Sequence, residues 1–137
     1  MFDIDRIYRD EKPEDTLLML TEAREYYLQF GPHWYADLCL YHVAIVYARL
    51  KRYDEADATF VDVYDRFGKA ANRSRMGYTL IHQVDAEPLQ GHLGKELELL
   101  RRAQKIWEKI SNLTELAVSL RAQIRIHGVL GDVDGGH

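Results

Sequence analysis

The fold is decided by residues 40–60, which read LYHVAIVYARLKRYDEADATF. Apolar residues in this stretch recur three and four positions apart, as they do on the buried face of an amphipathic helix. These positions are Leu40, Ala44, Tyr47, Ala56 and Phe60. The residues Lys51-Arg52-Tyr53 interrupt the spacing. The stretch therefore predicts two helices joined by a tight turn.

Breaking and capping residues divide the rest of the chain into segments with the same spacing, and none sustains the alternation of a strand. Pro13, followed by two acids, is typical of a helix start, because proline has no N–H to lose in the first turn. Gly31 and Gly68 each follow a phenylalanine and are interpreted as helix ends, whereas Ser111-Asn112 ends one helix and caps the next. The sequence predicts an all-α chain with a short helix near 2–10 and further helices near 13–30, 33–50, 53–67, 73–87, 93–110 and 113–129.

The helical segments repeat with a period of forty residues. A shift of forty aligns the turns 51–53, 91–93 and 131–133 and brings apolar residues into columns. The columns of the second helix are Leu20, Phe60 and Leu100; Ala23, Val63 and Ala103; and Tyr27, Phe67 and Trp107. Those of the first helix are Leu40, Leu80 and Leu120, and Ala44, Val84 and Ile124. A large, a small and an aromatic residue in this order are what a repeated helix contact requires.

Residues 40–60 resemble a tetratricopeptide repeat. Ala44 stands for the small residue of the first helix, Tyr47 for its tyrosine, and Tyr53-Asp54-Glu55-Ala56 with Phe60 for the start of the second helix. The other copies depart from this pattern, since Glu96 replaces the alanine expected at the place of Ala56. The period also exceeds the ~34 residues of the standard repeat. The likeness is therefore to the variants of the family with longer helices.

The resemblance implies a right-handed α-α superhelix, a TPR-like solenoid of about six to seven helices in antiparallel pairs. It also implies a concave partner-binding surface on the first helix of each pair. The residues of this surface are Leu38, Tyr41, Ile45, Arg49, Tyr78, Ile81, Asp85, Val118, Arg121 and Arg125. Aromatic and aliphatic anchors beside arginines are typical of binding hot spots.

Arg121 and Arg125 lie one helical turn apart, and we expect them to pair with a carboxylate of the partner. Two alternatives stay open. Another part of the chain or a second subunit would cover the apolar side chains of this surface, or the two arginines would be solvated helix charges.

The sequence does not indicate catalysis. His42 and His82 share a repeat position, but no ligand spacing completes a metal site around them, so half-buried histidines at a helix seam are favoured. Cys39 is interpreted as a small buried side chain rather than a nucleophile. The candidate acid–base groups are scattered, and phosphate-loop and nucleophile motifs are absent from the sequence. We therefore expect no enzymatic activity, no metal and no cofactor.

The composition fits one domain over 1–130 with a flexible tail at 131–137. The 137 residues are 47% apolar and 29% charged and have a net charge of -4, which disfavours generic binding to nucleic acid. The single cysteine cannot close an internal disulfide, and no apolar run approaches the ~20 residues of a membrane span. We expect a cytoplasmic protein that binds neither nucleic acid nor membrane.

These patterns predict a protein–protein interaction module, a scaffold or adaptor that binds a peptide or protein segment in a concave groove. The alternatives are a regulatory or sensory domain for a small peptide effector and a structural oligomerisation element. The last helix pair lacks its second helix, so we expect an exposed face at Leu120 and Ile124, covered by a second copy in a homodimer, by a partner or by a helix of a longer chain. The basic stretch 66–75 is expected to be a loop, either solvated or in contact with an acidic partner.

Overall fold

The computed structural model describes residues 12–86 and 92–133, which form six α-helices and no strand. The helices are α1 (Pro13–Phe30), α2 (His33–Arg49), α3 (Tyr53–Lys69), α4 (Arg73–Ala86), α5 (Leu93–Lys109) and α6 (Leu113–Val133). The all-α prediction is confirmed for this part of the chain. The helix expected near 2–10 lies outside the described residues. Of the expected tail, 131–133 continue α6 and 134–137 lie outside the described residues.

The helices begin at residues 13, 33, 53, 73, 93 and 113, so a new helix starts every 20 residues. A helix pair therefore recurs every 40 residues, which confirms the period found in the sequence. Two predicted helix starts are also confirmed. Pro13 lies in the first turn of α1. At the start of α6, the backbone N–H of Glu115 donates to Oδ1 of Asn112 over 3.1 Å.

Three of the turns between helices share one backbone conformation. Lys51, Ala71 and Ser111 have positive φ angles of 61°, 56° and 58°. In the first of these turns, the N–H of Arg52 donates to the carbonyl of Tyr47 over 2.9 Å. The N–H groups of Asn72 and Asn112 likewise donate to the carbonyls five residues earlier, those of Phe67 and Trp107. This is the Schellman arrangement, in which glycine usually occupies the left-handed position. Here non-glycine residues hold that position three times.

The helix end expected at Gly68 was predicted wrongly, because α3 continues to Lys69 and the left-handed residue that turns the chain is Ala71. The loop expected over 66–75 is correspondingly short. Only 70–72 separate α3 from α4, and the rest of the stretch is helical. By contrast, Gly31 ends α1 as predicted, with a φ of 71° and an N–H that donates to the carbonyl of Tyr27.

The chain forms two compact units, Met1–Arg66 and Phe67–His137. In the first unit α1 packs on α2 through a cluster of Leu20, Val43 and Val46. A second cluster joins α2 to α3, where Ala44 meets Ala56 and Phe60. Because Ala44 and Ala56 are small, the two helices approach closely there, and the phenylalanine fills the space beside them.

The second unit is built around Trp107 of α5, which is fully buried. On the α4 side its ring meets the edge of the Tyr78 ring, with centroids 5.1 Å apart, and lies directly against Gly77. On the α6 side its Nε1–H donates to Oγ of Ser119 over 3.1 Å. One large side chain therefore holds both neighbouring helices of its unit.

The prediction that the aligned apolar residues form the core is confirmed on the second helix of each pair. Most members are buried, and Ala23 and Tyr27 are half-buried. The buried members are Leu20, Phe60, Val63, Phe67, Leu100, Ala103 and Trp107. On the first helix, Ala44, Leu80 and Val84 are buried, whereas Leu120 and Ile124 are exposed, as expected.

Candidate partner-binding surface

In the first unit the predicted surface residues all lie on α2. Arg49 is exposed, and Leu38 and Ile45 are half-buried. Tyr41, expected to anchor a partner in an open groove, is only 3% exposed and meets the His42 ring edge-on, with centroids 5.2 Å apart. Tyr41 therefore belongs to the core and is not accessible to a partner.

The burial of Tyr41 follows from the composition of α2. Its sequence, HWYADLCLYHVAIVYAR, is apolar on nearly every side, and a helix of that kind is buried on more than one face. Ile45 shows the same effect, since its side chain packs against the cluster of Ala44, Ala56 and Phe60. The repeat register identified which positions share a face, but the register alone did not decide whether that face is open.

In the second unit the predicted residues lie on α4 and α6. On α4, Tyr78 and Ile81 are half-buried, and Tyr78 is engaged by the Trp107 ring. On α6 the predicted residues are more accessible: Val118 is 41% exposed, and Arg121 and Arg125 are both exposed. The accessible part of the predicted surface in this unit is therefore centred on α6.

The structure brings Asp85 of α4 and Arg125 of α6 within electrostatic range of each other. Partial burial raises the pKa of the Asp85 carboxyl, and the positive charges of His82 and Arg125 oppose this rise. By surface area Asp85 is exposed. Arg125 thus has an acidic neighbour within the unit.

Arg121 has no ion pair or hydrogen bond to another side chain in the part of the chain that the structure describes. Its guanidinium is exposed one turn from Arg125 and beside Val118. Guanidinium groups bind carboxylates through two parallel hydrogen bonds. This part of α6 therefore offers a cation, an apolar contact and a second cation that already has an acidic neighbour.

Cys39 is buried, as predicted. Burial raises the pKa of its thiol from 9 to about 11, and the charge of Arg24 opposes this only in part. At neutral pH the thiol is therefore protonated and shielded. Within residues 12–86 and 92–133, no three histidine, cysteine, aspartate or glutamate side chains gather where they could hold a metal ion. His42 and His82 are half-buried, as expected for a helix seam.

The residues of the basic stretch 66–75 lie in different local environments. Arg66 pairs with Asp62 at 3.1 Å and lies 3.8 Å from Asp37 on α2. Further along, 70–74 and Ile110 line an open depression of about 510 Å³. Because part of its charge is already balanced, this stretch is not a continuous basic patch.

The sequence interpretation missed an aromatic group at the junction of α1 and α2. Tyr27 and Tyr35 stack with centroids 5.0 Å apart, while Tyr26, Phe30 and Trp34 are exposed. The signal was present, since these five aromatic residues lie within ten positions, 26–35. It went unused because the repeat columns include only Tyr27.

No protein-family model, curated protein or solved structure matches this chain. The described helices also include none with the length and apolar character needed to cross a lipid bilayer.

Proposed function

We propose that this chain is a protein–protein interaction module of the tetratricopeptide type, which binds a carboxylate-bearing segment of a partner protein. Support for the repeat architecture comes from helices that start every 20 residues and from the recurring turn at Lys51, Ala71 and Ser111. Further support comes from the buried columns, because stacked repeats bury their apolar faces only against neighbouring helices.

The observation that carries the binding proposal is the exposed guanidinium of Arg121, one turn from Arg125 and next to Val118. The apolar side chain contributes contact area, and Arg121 binds the partner's carboxylate. Asp85, near Arg125, favours a partner that places its negative charge at Arg121 rather than deeper between the helices. The partner segment is therefore one with a carboxylate next to apolar side chains.

The proposal is tested by reversing both charges in the variant Arg121→Glu/Arg125→Glu. Peptides selected against the wild-type chain from a displayed random library serve as probes, and fluorescence anisotropy gives their affinities. We expect the variant to bind at least ten times more weakly, since a carboxylate then faces a carboxylate.

A matched control is available on α5, where Arg101 and Lys105 are also exposed cations one turn apart in the same unit. The variant Arg101→Glu/Lys105→Glu changes the net charge by the same amount and should retain wild-type affinity. Equal weakening in both variants would mean that only overall charge matters. Unchanged affinity in the α6 variant would overturn the proposal.

A further inference from the structure

A row of apolar side chains runs along an exposed side of α6. The row, here called the α6 stripe, consists of Leu113, Ala117, Leu120 and Ile124. These residues follow the spacing of four, three and four that places residues on one helix face. All four are exposed, with 73% of Leu113 and 70% of Ile124 accessible. Stripes of this kind in soluble domains normally contact another element.

The α6 stripe is distinct from the face that α6 buries within its own unit. Ser119 accepts the hydrogen bond from Trp107, and Nε2 of Gln123 donates to Oε1 of Gln104 over 2.8 Å. Ser119 and Gln123 lie roughly a third of a turn around the helix from the stripe. The packing on α5 therefore fixes the rotation of α6 and directs the stripe outwards.

The repeat register indicates what kind of element this face accepts. Forty residues earlier, Leu80 and Val84 are buried in α4, and α4 packs on the next helix, α5. Eighty residues earlier, the equivalent of Ile124 is Ala44, which contacts Ala56 and Phe60 of α3. In α4 this face is therefore buried, and in α2 it packs against a helix. In the better-defined case, the covering helix presents a small and a large apolar residue four positions apart.

The charges beside the α6 stripe favour one kind of docking helix over others. Arg121 and Arg125 lie along one flank, and Glu115 is the single acid among residues 113–129. A second copy docking antiparallel through the same stripe would place the arginines of both copies on the same side of the interface, where they repel. An acidic helix instead places carboxylates opposite these arginines. The helix that covers the equivalent face of α2 has this character, since α3 carries Asp54, Glu55, Asp57, Asp62 and Asp65.

We propose that the α6 stripe docks an acidic amphipathic helix from another polypeptide, with a small and a large apolar residue four apart on its buried face. The helix lies across Leu120 and Ile124 and directs carboxylates towards Arg121. This site goes beyond the proposed carboxylate-binding surface, because it is built on the opposite flank of Arg121 from Val118 and accepts a folded helix.

The probe is a fluorescein-labelled synthetic peptide with the sequence of residues 53–69, YDEADATFVDVYDRFGK, capped at both ends. Anisotropy titration against the full chain should show saturable binding. The protein variant Ile124→Glu should weaken it at least tenfold, because a charge then replaces the more accessible of the two apolar contacts, Leu120 and Ile124. A peptide in which Asn and Gln replace its five acids should also bind at least threefold more weakly.

The matched control is Val118→Glu, which adds the same charge on the same helix but off the stripe. Position 118, like position 124, is three residues from Arg121, so the effect of the added charge on that arginine is matched. Val118→Glu should therefore weaken peptide binding by no more than about threefold, while it weakens binding at the proposed carboxylate surface, so the two proposals fail separately. Circular dichroism checks that both variants remain helical, which their exposed positions favour.

Three results would overturn the proposal. The first is the absence of peptide binding at 0.5 mM protein, a concentration of about the weakest Kd expected for such a contact. The second is binding that survives Ile124→Glu, which would place the peptide elsewhere, for example in exchange for α3. The third is a dimer in sedimentation velocity that Ile124→Glu dissociates, which would make a second copy the occupant.

Discussion

Replacing Gly77 by alanine should destabilise the protein, although alanine is the better helix former. The backbone of α4 at Gly77 lies against the indole of Trp107, and a Cβ there would stand closest to Cη2 of the ring and 2.7 Å from Cζ2 and Cζ3. Unstrained carbon contacts are about 3.5–4.0 Å, so the ring would have to retreat by about 1 Å.

The ring has little freedom to retreat. The Tyr78 ring lies in an edge-on contact with it, and Ser119 accepts its Nε1–H over 3.1 Å, so a shift would loosen that hydrogen bond. Overpacking costs about 1–3 kcal/mol, and a weakened buried hydrogen bond about 1 kcal/mol. Helix propensity returns about 1 kcal/mol. The net expectation is a loss of about 1–3 kcal/mol in the free energy of unfolding.

Urea denaturation followed by circular dichroism at 222 nm measures this loss, and two comparisons isolate its cause. Gly128 of α6 has no atom within 4 Å of an added Cβ, so Gly128→Ala should stabilise by about 0.5–1 kcal/mol. In a Trp107→Phe background the outer ring of the indole is gone, and Gly77→Ala should then stabilise as well. If Gly77→Ala alone raised the stability by as much as Gly128→Ala, the close contact with Trp107 would be refuted.

Two further predictions concern the turns and the buried thiol. Ala71→Gly and Ser111→Gly should each stabilise by about 1 kcal/mol, because glycine adopts the left-handed conformation without steric cost. Thermal melts would contradict this if either variant melted below wild type. The pKa of Cys39 is higher in the folded chain, about 11, than its ordinary value of 9, so the folded state holds the proton longer. Its stabilising contribution is complete below pH 9 and is lost as the pH rises towards 11. The wild type should therefore lose stability over this range relative to Cys39→Ala, and parallel pH profiles would contradict the prediction.

The helix starts could be predicted from the sequence because they are marked locally. Pro13 acts through its fixed φ and its missing N–H, and Asn112 through a hydrogen bond within one turn, and such signals do not depend on the rest of the fold. The helix ends were harder to predict from the sequence. Ala71 adopts a left-handed conformation that its residue type disfavours, and only the structure shows its φ of 56° and the hydrogen bond from the Asn72 N–H to the Phe67 carbonyl that closes the turn. Gly68, the expected breaker, lies inside the helix instead.

The candidate surface was predicted only as a set of positions. The register placed Tyr41 and Arg121 at equivalent positions eighty residues apart, yet the tyrosine is buried and the arginine is exposed. Burial depends on what packs against a face, and the residues that do so are distant in sequence. The need for glycine at position 77 could not be predicted for the same reason, since the Trp107 ring that lies against it is thirty residues further along the chain.

The core of the second unit and its two proposed surfaces are physically connected. Trp107 and Gln104 bond to Ser119 and Gln123, and these two bonds fix the rotation of α6 about its axis. That rotation decides which side chains α6 presents, because a turn of roughly 100° separates consecutive residues of a helix. With Ser119 and Gln123 facing α5, Arg121 stands between an apolar stripe on one flank and Val118 on the other. A loss of this anchoring would therefore alter both surfaces together, as would substitution of Arg121, which belongs to both, whereas substitution of Val118 or Ile124 chiefly alters one of them.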